Sequence, residues 1–427
     1  PDSPFIELNT EKHAETRVIE SIHETLLLFT SHGAPNGRLV ALRLDQPEPA
    51  AWTDIIPEHT SPLRVSTGAG YLFAHYLMDA RSRLYQYRYT GDLVREIPLP
   101  EPGSASLPFG KDTDETVYYT FSNYKQPSTI YAYNPESGNA RRYFKPDIRF
   151  NPDDYETHQV FYSSPDGTQV PMTLTYKKGL KRDGNNPTLL YGYGGFDISI
   201  TPGFSTTTAL WLSLGGVYAV PNIRGGGEYG KNWHIQGTQH QKQNVFDDFI
   251  AAAEYLIDEQ YTKADYLAIS GRSNGGLLVG AVMTQRPDLI KVALPGVGVL
   301  DMLRYHTFTA GAGWSFDYGR SDDSREMFET LLSYSPLHNL TPGTRYPATL
   351  ITTGDHDDRV VPAHSFKFAA TLQSAQSGPA PTLIRIETDA GHGAGTSIEK
   401  RIAQTADSLS FTLFNMGITN LEVQHDE

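Results

Sequence analysis

A chain of 427 residues is too long for one ordinary domain and long enough for two, each with a core of its own. With 39% hydrophobic and 20% charged residues it has the balance of a folded globular protein, and its apolar stretches are strand-sized, which argues against disorder and against a membrane span. The net charge of −14 disfavours nucleic acid, whose phosphates need clustered cations, and the absence of cysteine excludes disulfides, zinc–thiolate sites and a cysteine nucleophile.

The first residues, Pro1-Asp2-Ser3-Pro4, show no basic-then-apolar signal segment, which leaves the compartment open. Three look-alike segments follow, each an alternating strand, a polar turn and a second strand rich in Leu or Tyr. They start at Thr25, Gly70 and Thr116, about 45 residues apart, the spacing of four-stranded propeller blades. Closed propellers need at least about four blades. Three blades therefore imply either that further blades lie on a segment outside this chain, such as a companion chain, or that exposed edge strands are covered by another surface.

After residue 151 the pattern changes. A hairpin with Pro165-Asp166-Gly167 at its turn leads into strands expected at 188–191, 217–221, 266–270, 292–295, 348–353 and 382–387. Helices are expected over 245–259, 275–285, 363–374 and 397–414. Short buried strands alternating with helices predict a mostly parallel sheet covered on both faces, an α/β class. The division predicted is a partial all-β propeller over 1–147 and an α/β domain over 148–427.

Within the second half, Gly271-Arg272-Ser273-Asn274-Gly275 follows an apolar run and opens a helical one. That is the setting of a nucleophile elbow, in which glycines permit a sharp turn and the serine hydroxyl stands above the sheet at a helix N-terminus. A serine needs a base within reach and a third group to orient that base. In this architecture they follow in the order acid, then histidine. His392, between glycines just past the last strand, is the candidate base. Asp355, Asp357 and Asp358 share the loop before it, and spacing alone does not separate them. The glycine-rich run from Tyr191 to Phe196 either supplies part of an oxyanion hole, with Tyr193 near the strand tip, or serves sheet packing only. The run Asn222 to Gly230 lacks the lysine and spacing of a nucleotide loop, and His234, His240, Asp247 and Asp248 lack metal-ligand spacing, so no cofactor or metal is expected.

YGYGGFDISITP from Tyr191, NIRGGGEYG from Asn222, GRSNGG from Gly271, GVLDMLRYH from Gly298, WSFDYG from Trp314, DHDDRVVPAHS from Asp355 and AGHGAG from Ala390 together closely resemble the prolyl oligopeptidase family of serine peptidases. The resemblance implies an α/β-hydrolase domain capped by a propeller and cleavage after proline in peptides. It implies that Ser273 is the nucleophile, His392 the general base and Asp357 the orienting acid, with Tyr193 and Asn274 as oxyanion donors. It places the P1 proline ring on Trp314, among Phe196, Val299, Tyr318 and Val360, with Arg359 donating to a substrate carbonyl upstream. An aromatic face suits proline, whose compact ring offers no N–H. Members of the family usually act in the cytosol, some bacterial ones after export. Competing expectations are a relative with another P1 preference, an esterase, or a fragment inactive without a companion chain bearing the other blades.

Overall fold

The computed structural model describes residues 14–393 and 395–419. The chain start at 1–4 and Ala394 of the AGHGAG motif lie outside the described residues. The chain forms two compact units. The first comprises the described residues up to Arg149 with Thr201–Ser205 and Glu228–Asn232; the second comprises Phe150–Ile200, Thr206–Gly227 and the described residues from Trp233 onward.

The first unit holds three four-stranded antiparallel sheets. They are β1 Thr16–Ile22, β2 Thr25–Thr30, β3 Arg38–Arg43 and β4 Thr53–Ile56; β5 Leu63–Gly68, β6 Tyr71–Met78, β7 Arg81–Tyr87 and β8 Leu93–Ile97; and β9 Ser104–Ala105, β10 Val117–Ser122, β11 Thr129–Asn134 and β12 Asn139–Phe144. Each is a propeller blade. The look-alike segments are the middle hairpins, β2–β3, β6–β7 and β10–β11. Their inward residues fuse neighbouring blades: Leu27, Leu39 and Ile56 pack with Leu63, Val65 and Leu72, and Phe73 and Leu84 pack with Val117, Tyr119 and Phe121.

The second unit is built on one eight-stranded sheet, in the order β13-β14-β16-β15-β17-β18-β19-β20. Its strands are β13 Tyr155–Ser163, β14 Gln169–Lys177, β15 Thr188–Tyr191, β16 Val217–Pro221, β17 Leu267–Arg272, β18 Val292–Gly296, β19 Ala348–Gly354 and β20 Thr382–Glu387. The pairs β13/β14 and β14/β16 are antiparallel and the rest parallel, so the sheet is mostly parallel, as an α/β-hydrolase domain requires. The helices are α1 Thr206–Ser213, α2 Lys231–Ile235, α3 Gln243–Asp258, α4 Asn274–Gln285, α5 Ser315–Tyr318, α6 Arg325–Tyr334, α7 Ala363–Ala375 and α8 Ile398–Asn415. Among the described residues no helix is long and apolar enough to cross a membrane. Helix α4 is buried from Asn274 to Met283, which fits its near-continuous small and apolar sequence. Helix α1 was not expected from sequence, because its three threonines favour other conformations. Trp211, fully buried in the cluster of Leu189, Ala268 and Val292, overrides that preference.

Candidate active site

Every candidate residue belongs to a loop or helix that follows the carboxyl end of a parallel strand. The order changes direction around β15, which has β16 on one side and β17 on the other. Loops diverge at such a point and leave room for a ligand.

Strand β17 runs two residues further than the sequence suggested, through Gly271 and Arg272, and Ser273 follows at φ 58° and ψ −118°. A side-chain-bearing residue in that region stores strain of about 1–3 kcal/mol and persists only where the surroundings over-determine it. Here they do. The Ser273 amide donates to Gly296 O at 2.9 Å, and helix α4 begins at the next residue. A Cβ on Gly275 would lie 2.6 Å from Gly192 O, so only glycine lets the elbow press against the end of β15. Asn274 is the first residue of the helix, where an amide has no intrahelical acceptor and points at whatever charge sits above Ser273.

Of the three aspartates after β19, only Asp357 meets the imidazole. Its Oδ2 lies 2.7 Å from His392 Nδ1, while its Oδ1 accepts the amides of Arg359 at 3.0 Å and Val360 at 2.9 Å. Asp357 is 2% exposed, and its two backbone donors hold the carboxylate in one pose. Asp355 instead bonds His356 Nδ1 at 2.7 Å and the Ala390 amide at 3.2 Å. Asp358 is exposed. With Nδ1 committed to Asp357, Nε2 is the free imidazole nitrogen; among the described residues it makes no hydrogen bond to Ser273 Oγ. The Arg272 guanidinium reaches the His392 carbonyl at 3.5 Å, which ties the elbow to the histidine loop.

Tyr193 follows β15. Burial, reinforced by the Asp317 carboxylate, pushes its phenol up to about 12, so it stays protonated and able to donate at neutral pH. Its carbonyl accepts from Asn274 Nδ2 at 2.5 Å, and Asn274 Oδ1 accepts from the Tyr318 hydroxyl at 2.8 Å. Both oxyanion candidates thus belong to one bonded cluster.

The residues expected around a proline ring form an aromatic set. Phe196 meets Tyr318 edge-on at 5.4 Å, and Tyr318 meets Tyr305 edge-on at 5.2 Å. Tyr305 stacks on Trp314 at 6.3 Å with the planes 7° apart. Trp314 is half-buried, whereas Val299, Tyr318 and Val360 are buried. Arg359 is exposed, and among the described residues its guanidinium has no carboxylate partner, which leaves it free to bind a carbonyl. Sequence reasoning passed over Tyr305, although it lies in the quoted GVLDMLRYH run. It also passed over Lys242 and Asp317, which meet 3.2 Å apart beneath the Tyr193 turn. No spacing rule links two side chains 75 residues apart. Asp248 and His234, set aside as metal ligands, are engaged elsewhere: Asp248 binds the buried Arg224, and His234 Nε2 lies 2.8 Å from Asp317 Oδ1.

Comparison with known proteins agrees with this architecture. Residues 202–419 match the prolyl oligopeptidase family, and residues 1–146 match the N-terminal β-propeller domain of prolyl oligopeptidase. The chain is 57% identical over 418 residues to a prolyl endopeptidase of Elizabethkingia miricola, covering 98% of this chain and 59% of that one. It is 42% identical over 400 residues to a prolyl endopeptidase of Dictyostelium discoideum, covering 90% of this chain and 52% of that one. The chain therefore spans a little over half the length of these relatives. A solved structure from a study of two prolyl endopeptidases superposes with a TM-score of 0.91 at 44% identity, over 96% of this chain and 61% of that one. Prolyl oligopeptidase B of Galerina marginata, bound to a 35-residue hydrolysis and macrocyclization substrate, superposes with a TM-score of 0.90 at 35% identity, over 96% of this chain and 58% of that one. From its two domain matches, its blades and its eight-stranded sheet, this chain belongs to the prolyl oligopeptidase family.

Proposed function

We propose that the chain is a serine endopeptidase that hydrolyses the bond on the carboxyl side of proline in oligopeptides, through an acyl-enzyme. The observation that carries this is an imidazole oriented by a buried carboxylate, Asp357 Oδ2 to His392 Nδ1 at 2.7 Å, on a loop that Arg272 ties to the strained elbow of Ser273. Ser273 Oγ attacks the prolyl carbonyl as His392 Nε2 takes its proton. The carbonyl oxygen becomes an oxyanion held by the Tyr193 hydroxyl and the Asn274 amide, in a site where fixed donors need no reorganisation. His392 then protonates the departing amine, and water attacks the ester by the same route in reverse. Trp314, Phe196, Val299, Tyr318 and Val360 receive the proline ring, and Arg359 binds a carbonyl upstream. The prolyl endopeptidase names of the relatives support the P1 preference.

Turnover of matched peptides with Pro, Ala and Arg at P1 tests the specificity; equal rates would sink it, and loss of all cleavage in Ser273→Ala ties the activity to the elbow. The domain division we assign is a partial propeller over 1–147 and a hydrolase domain over 148–427, and the compact units, which part after Arg149, support it. The compartment we assign is the cytoplasm, the usual one in the family, with the periplasm as the alternative, decided by cell fractionation. A companion chain bearing further blades is the partner the three-blade count suggests. Native mass spectrometry of the purified protein tests it, and a lone 47.3 kDa species would remove it.

A further inference from the structure

The turn that carries Tyr193 has one internal backbone bond, from the Ile198 amide to Gly195 O at 3.1 Å, and is otherwise held from other elements. Gly194, Phe196 and Asp197 all have positive φ, at 65°, 59° and 59°, and two of the three bear side chains that disfavour that region. Beyond β15 the turn has left the strand ladder, and side chains from distant elements bind its peptide groups. Lys242 Nζ, at the start of α3, donates to Gly194 O at 3.0 Å. Asp317 Oδ1, in α5, accepts the Phe196 amide at 3.0 Å and sits 2.8 Å from His234 Nε2. Lys242 and Asp317 are 1% and 0% exposed and pair at 3.2 Å.

We propose that the buried Lys242–Asp317 pair is a positioning device for the oxyanion-binding turn, coupling the walls of the proline pocket to the donor that meets the developing negative charge. The inference rests on the peptidase reading above. The contacts close a circuit. Asp317 lies between Trp314 and Tyr318 on one short segment. Tyr318 binds Asn274, Asn274 binds the Tyr193 carbonyl, Lys242 binds the Gly194 carbonyl beside it, and Lys242 returns to Asp317. The segment that packs against a P1 ring and the turn that presents Tyr193 are therefore fixed by the same two charges. Stability alone does not call for a charged pair here, because buried ion pairs are often replaced by apolar residues of similar volume at no loss. An apolar pair would leave Gly194 O and the Phe196 amide without these partners, and the turn would lose two of the side-chain contacts that hold it. The Asp317 carboxyl is held below the usual carboxylate range: burial pushes it up, but the Lys242 charge, His234 and the Phe196 amide together outweigh burial.

The double variant K242M/D317N removes both charges together, leaves no unpaired buried ion and still offers Phe196 an acceptor. The readouts are kcat and KM on a proline peptide, and binding of a peptidyl prolinal, whose aldehyde forms a tetrahedral adduct with the serine, against the matched prolinol, which does not. Expected is a fall in kcat of about 10- to 100-fold with KM within about threefold, and a matching loss of affinity for the aldehyde but not for the alcohol. A folded double variant with kcat and aldehyde affinity within threefold of the parent would overturn the inference. D317N alone serves if the double variant does not fold: it keeps the Phe196 acceptor and weakens the Lys242 tie, so a smaller loss confined to kcat supports the inference and a loss confined to KM refutes it. A parent chain that neither cleaves the peptide nor binds the aldehyde overturns the peptidase reading itself, an outcome distinct from an active parent with indifferent variants.

Discussion

Replacing Asp357 with Asn separates orientation from charge at the imidazole. The carboxylate is 2% exposed and uses both oxygens: Oδ1 takes the Arg359 and Val360 amides at 3.0 and 2.9 Å, and Oδ2 faces His392 Nδ1 at 2.7 Å. Asn can keep the amide contacts through its own oxygen, which turns its NH₂ toward Nδ1. The imidazole must then accept at Nδ1 and carry its proton on Nε2, where no lone pair remains to take the Ser273 proton. Loss of the general base in this way costs roughly 10⁴-fold in kcat, or about 5.5 kcal/mol of barrier. Folding should be little affected. Asp357→Ala, by contrast, strands two backbone amides, at about 1–3 kcal/mol each, and should lower the urea-unfolding free energy by about 2–6 kcal/mol. The assay is steady-state cleavage of a chromogenic proline anilide, with Asp355→Asn as the control, because Asp355 is engaged with His356 and should matter by no more than about threefold. Asp357→Asn within tenfold of the parent, or Asp355→Asn equally damaging, would refute the assignment.

Ser273→Gly should abolish cleavage yet raise the unfolding free energy by about 1 kcal/mol relative to Ser273→Ala, because glycine alone adopts φ 58° and ψ −118° without strain; equal stability of the two variants in urea would count against a strained elbow. Tyr193→Phe should lower kcat by about 10²- to 10³-fold with KM within about threefold, and a loss expressed in KM would remove the hydroxyl from the oxyanion hole. Two histidines should make the fold acid-sensitive. Burial, aided for His75 by Arg64, pushes His75 down to about 4, and burial pushes His364 down to about 4, against 6.5 in the unfolded chain. Between these values the unfolded chain binds protons that the native one refuses. Stability is therefore full above about pH 6.5 and falls as the pH drops toward 4, by up to about 1.4 kcal/mol per pH unit for each histidine. His75→Gln should remove about 1 kcal/mol per pH unit of that slope near pH 5.5 in urea titrations, and an unchanged slope would exclude His75 as a source.

The blades were legible because alternation survives in their middle hairpins, where one face is buried. Their outer strands were not: β9 has two residues and β12 is exposed at all six positions, so neither carries a burial pattern to read. The elbow was legible because Gly-x-Ser-x-Gly between an apolar run and a helix encodes its own backbone geometry. The aspartate was not separable from its neighbours on the residues alone. Asp355, Asp357 and Asp358 are chemically identical, and what distinguishes them is which one turns inward to meet the amides of Arg359 and Val360. Lys242 and Asp317 were illegible for a related reason: each looks like a solvated charge until two distant elements fold over the same turn.

The main-chain pose of Ser273 decides more than the height of its hydroxyl. A second substituent on Cβ makes a positive φ a severe steric outlier, so threonine is shut out of this position even though its oxygen has nearly the same reactivity. Cysteine carries no such branch and would fit. The choice among the amino acids capable of attacking an amide is therefore made by torsion angles before acidity is consulted, and a chemically conservative alcohol-for-alcohol exchange would be the more disruptive swap.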